Sequence, residues 1–168
     1  LNDSIDLRLR SDVPLGIFLS GGLDSSAIVA LLAPRVSERL KTFSVAYDFG
    51  SEFNETAYAR LVAKKYQTDH HEFIVQPSQF CNFIPDYVWH MDEPVTESAA
   101  ISLYFIAKLA KDYVTVVLSG EGSDELFAGY DFYFYNLMIE RYRTYVGLRL
   151  ATALGKTAAQ HLPEGKWR

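Results

Sequence analysis

Hydroxyls, glycines and one carboxylate crowd into Ser20-Gly21-Gly22-Leu23-Asp24-Ser25-Ser26. Paired glycines let a backbone turn sharply and bring its N–H groups against an anion. A helix starting directly afterwards adds its unpaired amides and the positive end of its dipole. Ser20, Ser25 and Ser26 add hydroxyl donors to the same point. Asp24 is the exception, because a carboxylate beside phosphates repels them. A bridging Mg²⁺ removes the conflict, since this ion is commonly held by one or two carboxylates together with substrate phosphates. The run has no lysine, so it is not the G-x-x-x-x-G-K-[ST] phosphate loop. The bland alternative is a strand, a turn and an Asp- or Ser-capped helix.

A second cluster, Ser119-Gly120-Glu121-Gly122-Ser123-Asp124-Glu125, places three carboxylates within five residues. Such crowding costs Coulomb energy unless a cation offsets it. Its start looks like G-x-G-x-x-G, but Glu125 occupies the third glycine position and is hostile to pyrophosphate, so a dinucleotide-binding dehydrogenase is a poor reading. An acidic helix start favoured by the helix dipole is the plain alternative.

These clusters need elements to hold them. Gly16–Leu19 is a short apolar run that predicts a buried strand, followed by helix over 26–33 and a stop at Pro34. Lys41–Tyr47 is β-branched and aromatic, and predicts a second strand. A helix is expected from Asn54 to Tyr66, with Tyr58, Leu61, Val62 and Lys65 at helical spacing, then a strand over 71–75. Helices are expected over 80–90 and 99–110. Thr115–Leu118 is expected to be the most buried strand of all. Leu1, Ile5 and Leu9 repeat at i, i+4 and i+8, so the chain opens within an amphipathic helix and reads as a piece of something longer. Alternating strands and helices predict an α/β fold with a doubly wound, mostly parallel sheet of about five strands and helices on both faces. Both glycine clusters then sit at strand carboxyl ends and can share one crevice. On that basis the Asp24 and Asp124 carboxylates should lie on the order of 10 Å apart or less, close enough for one hydrated Mg²⁺. The core is expected over 1–146, and 147–168 reads as a loosely specified tail.

Composition narrows the classes. Of 168 residues, 49% are hydrophobic and 22% charged, a globular balance, and the net charge of −5 argues against a nucleic-acid partner. No apolar run approaches the roughly 20 residues that span a bilayer. The single Cys81 excludes an internal disulfide and suits a cytoplasmic setting; in its helical context it reads as a small core residue. His70 and His71 open a strand without a third ligand at metal spacing and read as packing residues. The aromatic run Phe132–Tyr135, with Tyr142 and Tyr145, lacks basic neighbours and reads as a helix packing face.

Taken together, SGGLDSS resembles the pyrophosphate loop of the N-type ATP pyrophosphatases. SDVPLGIFLSGGLDSS with VVLSGEGSDELFAGY resembles the synthetase domain of glutamine-dependent asparagine synthetases. The likeness runs from Leu1 to about Tyr142 and is most specific at both loops and at Asp92-Glu93-Pro94. GMP and NAD synthetases and tRNA-thiolating enzymes share SGG-x-DS loops but are not expected to carry GEGSDE.

The resemblance implies residue roles. Ser20, Gly21, Gly22, Asp24, Ser25 and Ser26 would cradle the β- and γ-phosphates of ATP. Asp24 and Asp124 would hold Mg²⁺. Leu19, Val45, Ser119 and Gly120 would line the adenosine pocket. Glu121 would accept a proton from attacking ammonia, and Glu125 would help place the amino-acid substrate. Asp92, Glu93 and 96–102 would border that acceptor site. The implied small-molecule partners are ATP, aspartate and ammonia, with a glutaminase domain preceding this chain and a homodimer compatible with it. The resemblance aligns Glu97 with an arginine that in some relatives would hold the substrate carboxylate, which keeps a β-lactam synthetase or peptide-cyclising relative open. A non-catalytic nucleotide-binding domain is the reading from another class, and the carboxylate crowd counts against it. A lysine used to stabilise the adenylating transition state would fall beyond Arg168.

Overall fold

The computed structural model describes residues 1–48, 56–93, 95 and 98–147. The chain divides into two compact units, Leu1–Gly120 and Glu121–Arg168. In the first, α1 (Asn2–Arg8) leads to β1 (Leu15–Phe18), α2 (Leu23–Leu32) and a single 3₁₀ turn at Ala33–Arg35. Then come β2 (Lys41–Tyr47), α3 (Thr56–Tyr66), β3 (Asp69–Val75), α4 (Pro77–Met91), α5 (Ser98–Ala110) and β4 (Val116–Leu118). The second unit holds α6 (Ser123–Phe127) and α7 (Asp131–Val146).

The sheet has the order β3-β2-β1-β4, and every pairing is parallel. Strand side chains alternate between its faces, as the pleat demands. Ile17 and Leu19 point into a core shared with Ile5 of α1, Val29 and Leu32 of α2, and Ala59 and Ala63 of α3. On the other face, Phe43 packs with Ile106, Ala110 and Val114. Val75 packs there with Phe83 and Tyr87 of α4 and Ile101 and Phe105 of α5. Helices therefore cover both faces, as expected of a doubly wound sheet.

Four strands are present among the described residues where about five were expected. The sequence holds only four strand-like runs, and after β4 the described chain goes on as the helices α6 and α7. Nor is Thr115–Leu118 the most buried strand. It lies at the sheet edge, with Val116 37% exposed, and the central β1 and β2 carry the fully buried Ile17, Phe43 and Thr42. An apolar run signals a strand but not its rank in the sheet.

On α3, Tyr58 and Leu61 are both 64% exposed, and the face turned inward carries Ala59 and Ala63 with Val62 beside them. Small residues let this helix approach the sheet closely. Asn54 and Glu55, the expected helix start, lie outside the described residues. In α4, Pro77 takes the first turn and the Gln79 side chain accepts from the Gln76 N–H at 2.9 Å, so the helix begins earlier than Phe80. Its inward face carries Phe83 and Tyr87, which puts Cys81 on the opposite side, exposed and not in the core. From residue 148 onward the expected tail lies outside the described residues.

The two histidines are packed. His70 is bonded through Nδ1 to Thr42 Oγ1 at 2.9 Å and through Nε2 to Glu72 Oε1 at 3.0 Å. Arg60 donates to the same Glu72 carboxylate, and mainly through that contact holds its pKa below the ordinary carboxylate value. His71 stacks on Phe43 with centroids 5.6 Å apart; its Nε2 lies 3.2 Å from Asp69 Oδ1, without hydrogen-bond alignment.

Gly16 shows how tightly β1 and β2 fit. A Cβ there would lie 2.6 Å from Phe43 Cε2 and 3.2 Å from the Lys41 carbonyl. Gly16→Ala is expected to cost about 1–3 kcal/mol through overpacking. The check is the midpoint of urea unfolding of the full-length protein; an unchanged midpoint would show that the ring moves aside freely.

Candidate active site

From β1 the chain steps outward to β2 and β3, then returns to pair β4 on the other side of β1. That reversal makes the carboxyl ends of β1 and β4 the switch point, where open α/β sheets hold ligands. Ser20-Gly21-Gly22 leaves β1 there, and Ser119-Gly120 leaves β4.

The first loop turns at Gly21, whose φ of +92° lies in the region open to glycine. Ser25, only 5% exposed, braces the turn. Its Oγ accepts from the Ser20 N–H at 3.3 Å, bonds Ser20 Oγ at 3.0 Å and donates to the Gly22 carbonyl at 3.3 Å. The Gly22 N–H donates to Ser20 Oγ at 3.2 Å. The Ser25 hydroxyl is thus engaged within the loop. Gly22 is the N-cap of α2, no side chain caps the helix, and its backbone ladder opens with Ser26 N–H donating to the Gly22 carbonyl at 3.1 Å. The amides of the first turn are left for a ligand, which is the condition for anion binding at a helix start.

Leu23 is 85% exposed, whereas Asp24 and Ser26 are half-buried. Leu19 is wholly buried: its N–H donates to the Phe43 carbonyl at 2.8 Å, and its carbonyl accepts from Ser44 Oγ. In this conformation it supports the loop from beneath. Val45 is half-buried on β2, packed against the α5 side.

Gly120 brings the loops together. A Cβ on it would lie 3.1 Å from Asp24 Cβ and 3.3 Å from the Ser25 nitrogen. The backbone leaving β4 therefore lies directly against the start of α2, so a side chain at 120 would have to push a neighbour aside by a few tenths of an ångström.

In the second unit, Gly122 has a left-handed φ of +86° and is the N-cap of α6, which carries Asp124 and Glu125 in its first turn. Asp124 is half-buried, and Glu121 and Glu125 are exposed. Tyr130 donates to Glu125 Oε1 at 2.8 Å, and this bond is the main reason its phenol pKa is pushed up to about 12. The sequence reading gave no role to Tyr130 or to Gly129. A glycine following a short helix is ordinarily read as a cap, and only the geometry shows what it touches.

Around the expected acceptor site, Asp92 ends α4 in the left-handed region and Glu93 is exposed. Pro94, Thr96 and Glu97 lie outside the described residues. Tyr47 and Ser102 are hydrogen-bonded through their hydroxyls, linking β2 to α5. A separate basic groove, lined by Arg39, Arg60, Lys64, Gln67 and His70, lies at the opposite ends of the strands.

The donor set fits Mg²⁺. Asp24 offers hard carboxylate oxygen at the edge of an anion cradle, and phosphate oxygens would complete the shell.

No helix among the described residues is long and apolar enough to cross a membrane. A solved NH3-dependent NAD synthetase from Campylobacter jejuni superposes with a TM-score of 0.54 at 16% identity, covering 77% of this chain and 57% of that one. That likeness shows the fold. The chain is 47% identical over 131 residues to asparagine synthetase [glutamine-hydrolyzing] 1 of Bacillus subtilis, covering 78% of this chain and 20% of that protein. It is 41% identical over 165 residues to a putative asparagine synthetase [glutamine-hydrolyzing] of Mycobacterium bovis, covering 98% of this chain and 25% of that protein. The chain thus spans a fifth to a quarter of the length of these relatives. The asparagine synthase family model matches residues 1–168, so this chain belongs to the asparagine synthase family.

Proposed function

We propose that this chain forms the ATP-binding, amide-forming site of a glutamine-dependent asparagine synthetase. The supporting observation is the close approach of Gly120 to Asp24 and Ser25, which seats the backbone leaving β4 against an uncapped helix start. An oxygen of the aspartate β-carboxylate attacks the α-phosphorus of ATP and pyrophosphate leaves. Ammonia, released from glutamine by the partner glutaminase domain, attacks the acyl carbon of the resulting β-aspartyl-adenylate. AMP departs, one proton passes to Glu121, and asparagine is formed.

The α2 amides, Ser20 and Ser26 hold the β- and γ-phosphates, while Ser25 keeps the loop in shape. Val45 and the Ser119-Gly120 backbone border the adenosine. Asp24 and Asp124 would hold Mg²⁺, which would neutralise the charge of the departing pyrophosphate. Catalysis rests mainly on positioning and fixed charge.

Asp24 carries the first test. Asp24→Asn in the full-length protein is expected to weaken Mg²⁺-dependent ATP binding by roughly ten- to a hundredfold, the loss of one charge-assisted contact. Calorimetry with Mg²⁺ and with EDTA reads this directly. Equal affinity of wild type and variant in Mg²⁺ would remove Asp24 from the metal site. Pyrophosphate release by the wild type, screened against aspartate and other carboxylic acids with ammonia present, tests the substrate; release with another acid and none with aspartate would move the assignment to a different family activity.

A further inference from the structure

The turn after α6 carries two contacts with no role so far. Ala128 takes a left-handed conformation, with φ 58° and ψ 43°, and the Gly129 N–H donates to the Asp124 carbonyl at 3.0 Å. A Cβ on Gly129 would lie 2.0 Å from Asp124 Oδ1, 2.9 Å from its Cγ and 3.2 Å from its Cα. Gly129 has no positive φ, so a side chain here would act through space, by making the Asp124 carboxylate swing away, and not through the backbone conformation. The Asp124 carboxylate is folded into the room a side chain would fill.

The next residue grips the neighbouring carboxylate. Tyr130 Oη donates to Glu125 Oε1 at 2.8 Å, and its ring is fixed from the other side by the start of α7. It stacks on Phe132 with centroids 5.5 Å apart and on Tyr133 at 6.1 Å. A phenol held by two rings has little rotamer freedom left to lose, so it makes a stiff donor.

We infer that the Ala128-Gly129-Tyr130 turn positions the two acidic side chains of α6: Gly129 sets the direction of Asp124 by leaving it room, and Tyr130 fixes Glu125 by a hydrogen bond. Gly129 and Tyr130 are positioning residues that act through these carboxylates. The inference rests on the proposed function, in which Asp124 serves the metal–phosphate end and Glu125 the amino-acid end. It therefore assigns each half of the turn its own kinetic signature.

The test uses the full-length protein. Gly129→Ala should weaken Mg²⁺-dependent ATP binding at least tenfold by calorimetry, with binding in EDTA unchanged. Tyr130→Phe should raise the KM for the acid substrate about three- to tenfold and leave the KM for ATP unchanged, less than the full loss of a hydrogen bond to a charged group because Tyr130 acts on the substrate only through Glu125. Tyr130→Phe added to Glu125→Gln should cause little further change, since both remove one contact. A merely structural turn would lower the melting temperature and the active fraction without separating the two KM values. Full Mg²⁺-dependent affinity in Gly129→Ala, or equal shifts of both KM values in Tyr130→Phe, overturns the inference. If the wild type activates no acid at all, the proposed function fails and the Tyr130 half falls with it. The Gly129 half is still decided by the calorimetry.

Discussion

Glu121→Gln in the full-length protein is expected to lower ammonia-dependent asparagine formation by about a hundred- to ten-thousandfold, the usual range for removing a general base. Pyrophosphate release in a single turnover should stay within a few-fold of wild type. The two steps separate because the substitution keeps the size of the side chain and removes only its capacity to accept a proton. Glu121 directly follows Gly120, whose backbone is seated against α2, and it is exposed, as a base meeting an incoming amine must be. Rapid-quench measurement of AMP, pyrophosphate and asparagine distinguishes the outcomes. If all three products fall together, Glu121 serves the adenylating step; if asparagine formation is untouched, it serves neither.

The largest effect on stability is expected at Phe43. It is fully buried in the middle of β2, between Ile106, Ala110 and Val114 on one side and the glycine-sized space at Gly16 on the other. Its ring also meets His71 at 5.6 Å and Tyr113 at 5.8 Å. Phe43→Ala removes those contacts and opens a cavity among side chains fixed by the sheet and α5, at a cost of about 3–5 kcal/mol. Urea unfolding of the full-length protein, with the variant beside wild type, measures it; a loss below about 1 kcal/mol would mean that the site collapses. The contact with Gly16 adds a second reading. Phe43→Leu should relieve part of the cost of Gly16→Ala, so the double variant is expected to be more stable than additivity allows. Strict additivity would show that the ring is not the obstacle.

Much of the scaffold is legible from the chain alone, for physical reasons. Lys41–Tyr47 is a strand with the bounds its β-branched and aromatic residues indicate, and the glycine loops fall at strand ends because a buried apolar run must end where the backbone turns. What pattern does not encode is rank and facing. The β4 run is apolar yet peripheral, and α3 turns alanines inward and Tyr58 and Leu61 outward, because close approach to a sheet rewards small volume over hydrophobicity. Cys81 lies outward for the opposite reason, since on α4 the large Phe83 and Tyr87 set the inner face. At the site, the residue types announce an anion cradle, but the tight fit at Gly120 arises from a neighbour almost a hundred positions earlier. No local window contains that contact.

The pairing of Leu15–Ile17 with Val116–Leu118 carries a consequence for how the molecule comes into being. Its partners are separated by roughly 100 residues, so joining them closes a long loop whose entropy must be met before the contact gives anything back. The pairings of β2 with β1 and β3 span far shorter stretches and can form first. During synthesis the amino-terminal helices and three strands can thus gather while the second glycine loop is still being made. The cradle at Ser20–Ser26 then waits, half-walled, until β4 emerges and docks, so the proposed nucleotide site is completed only after the other strand pairings of this sheet.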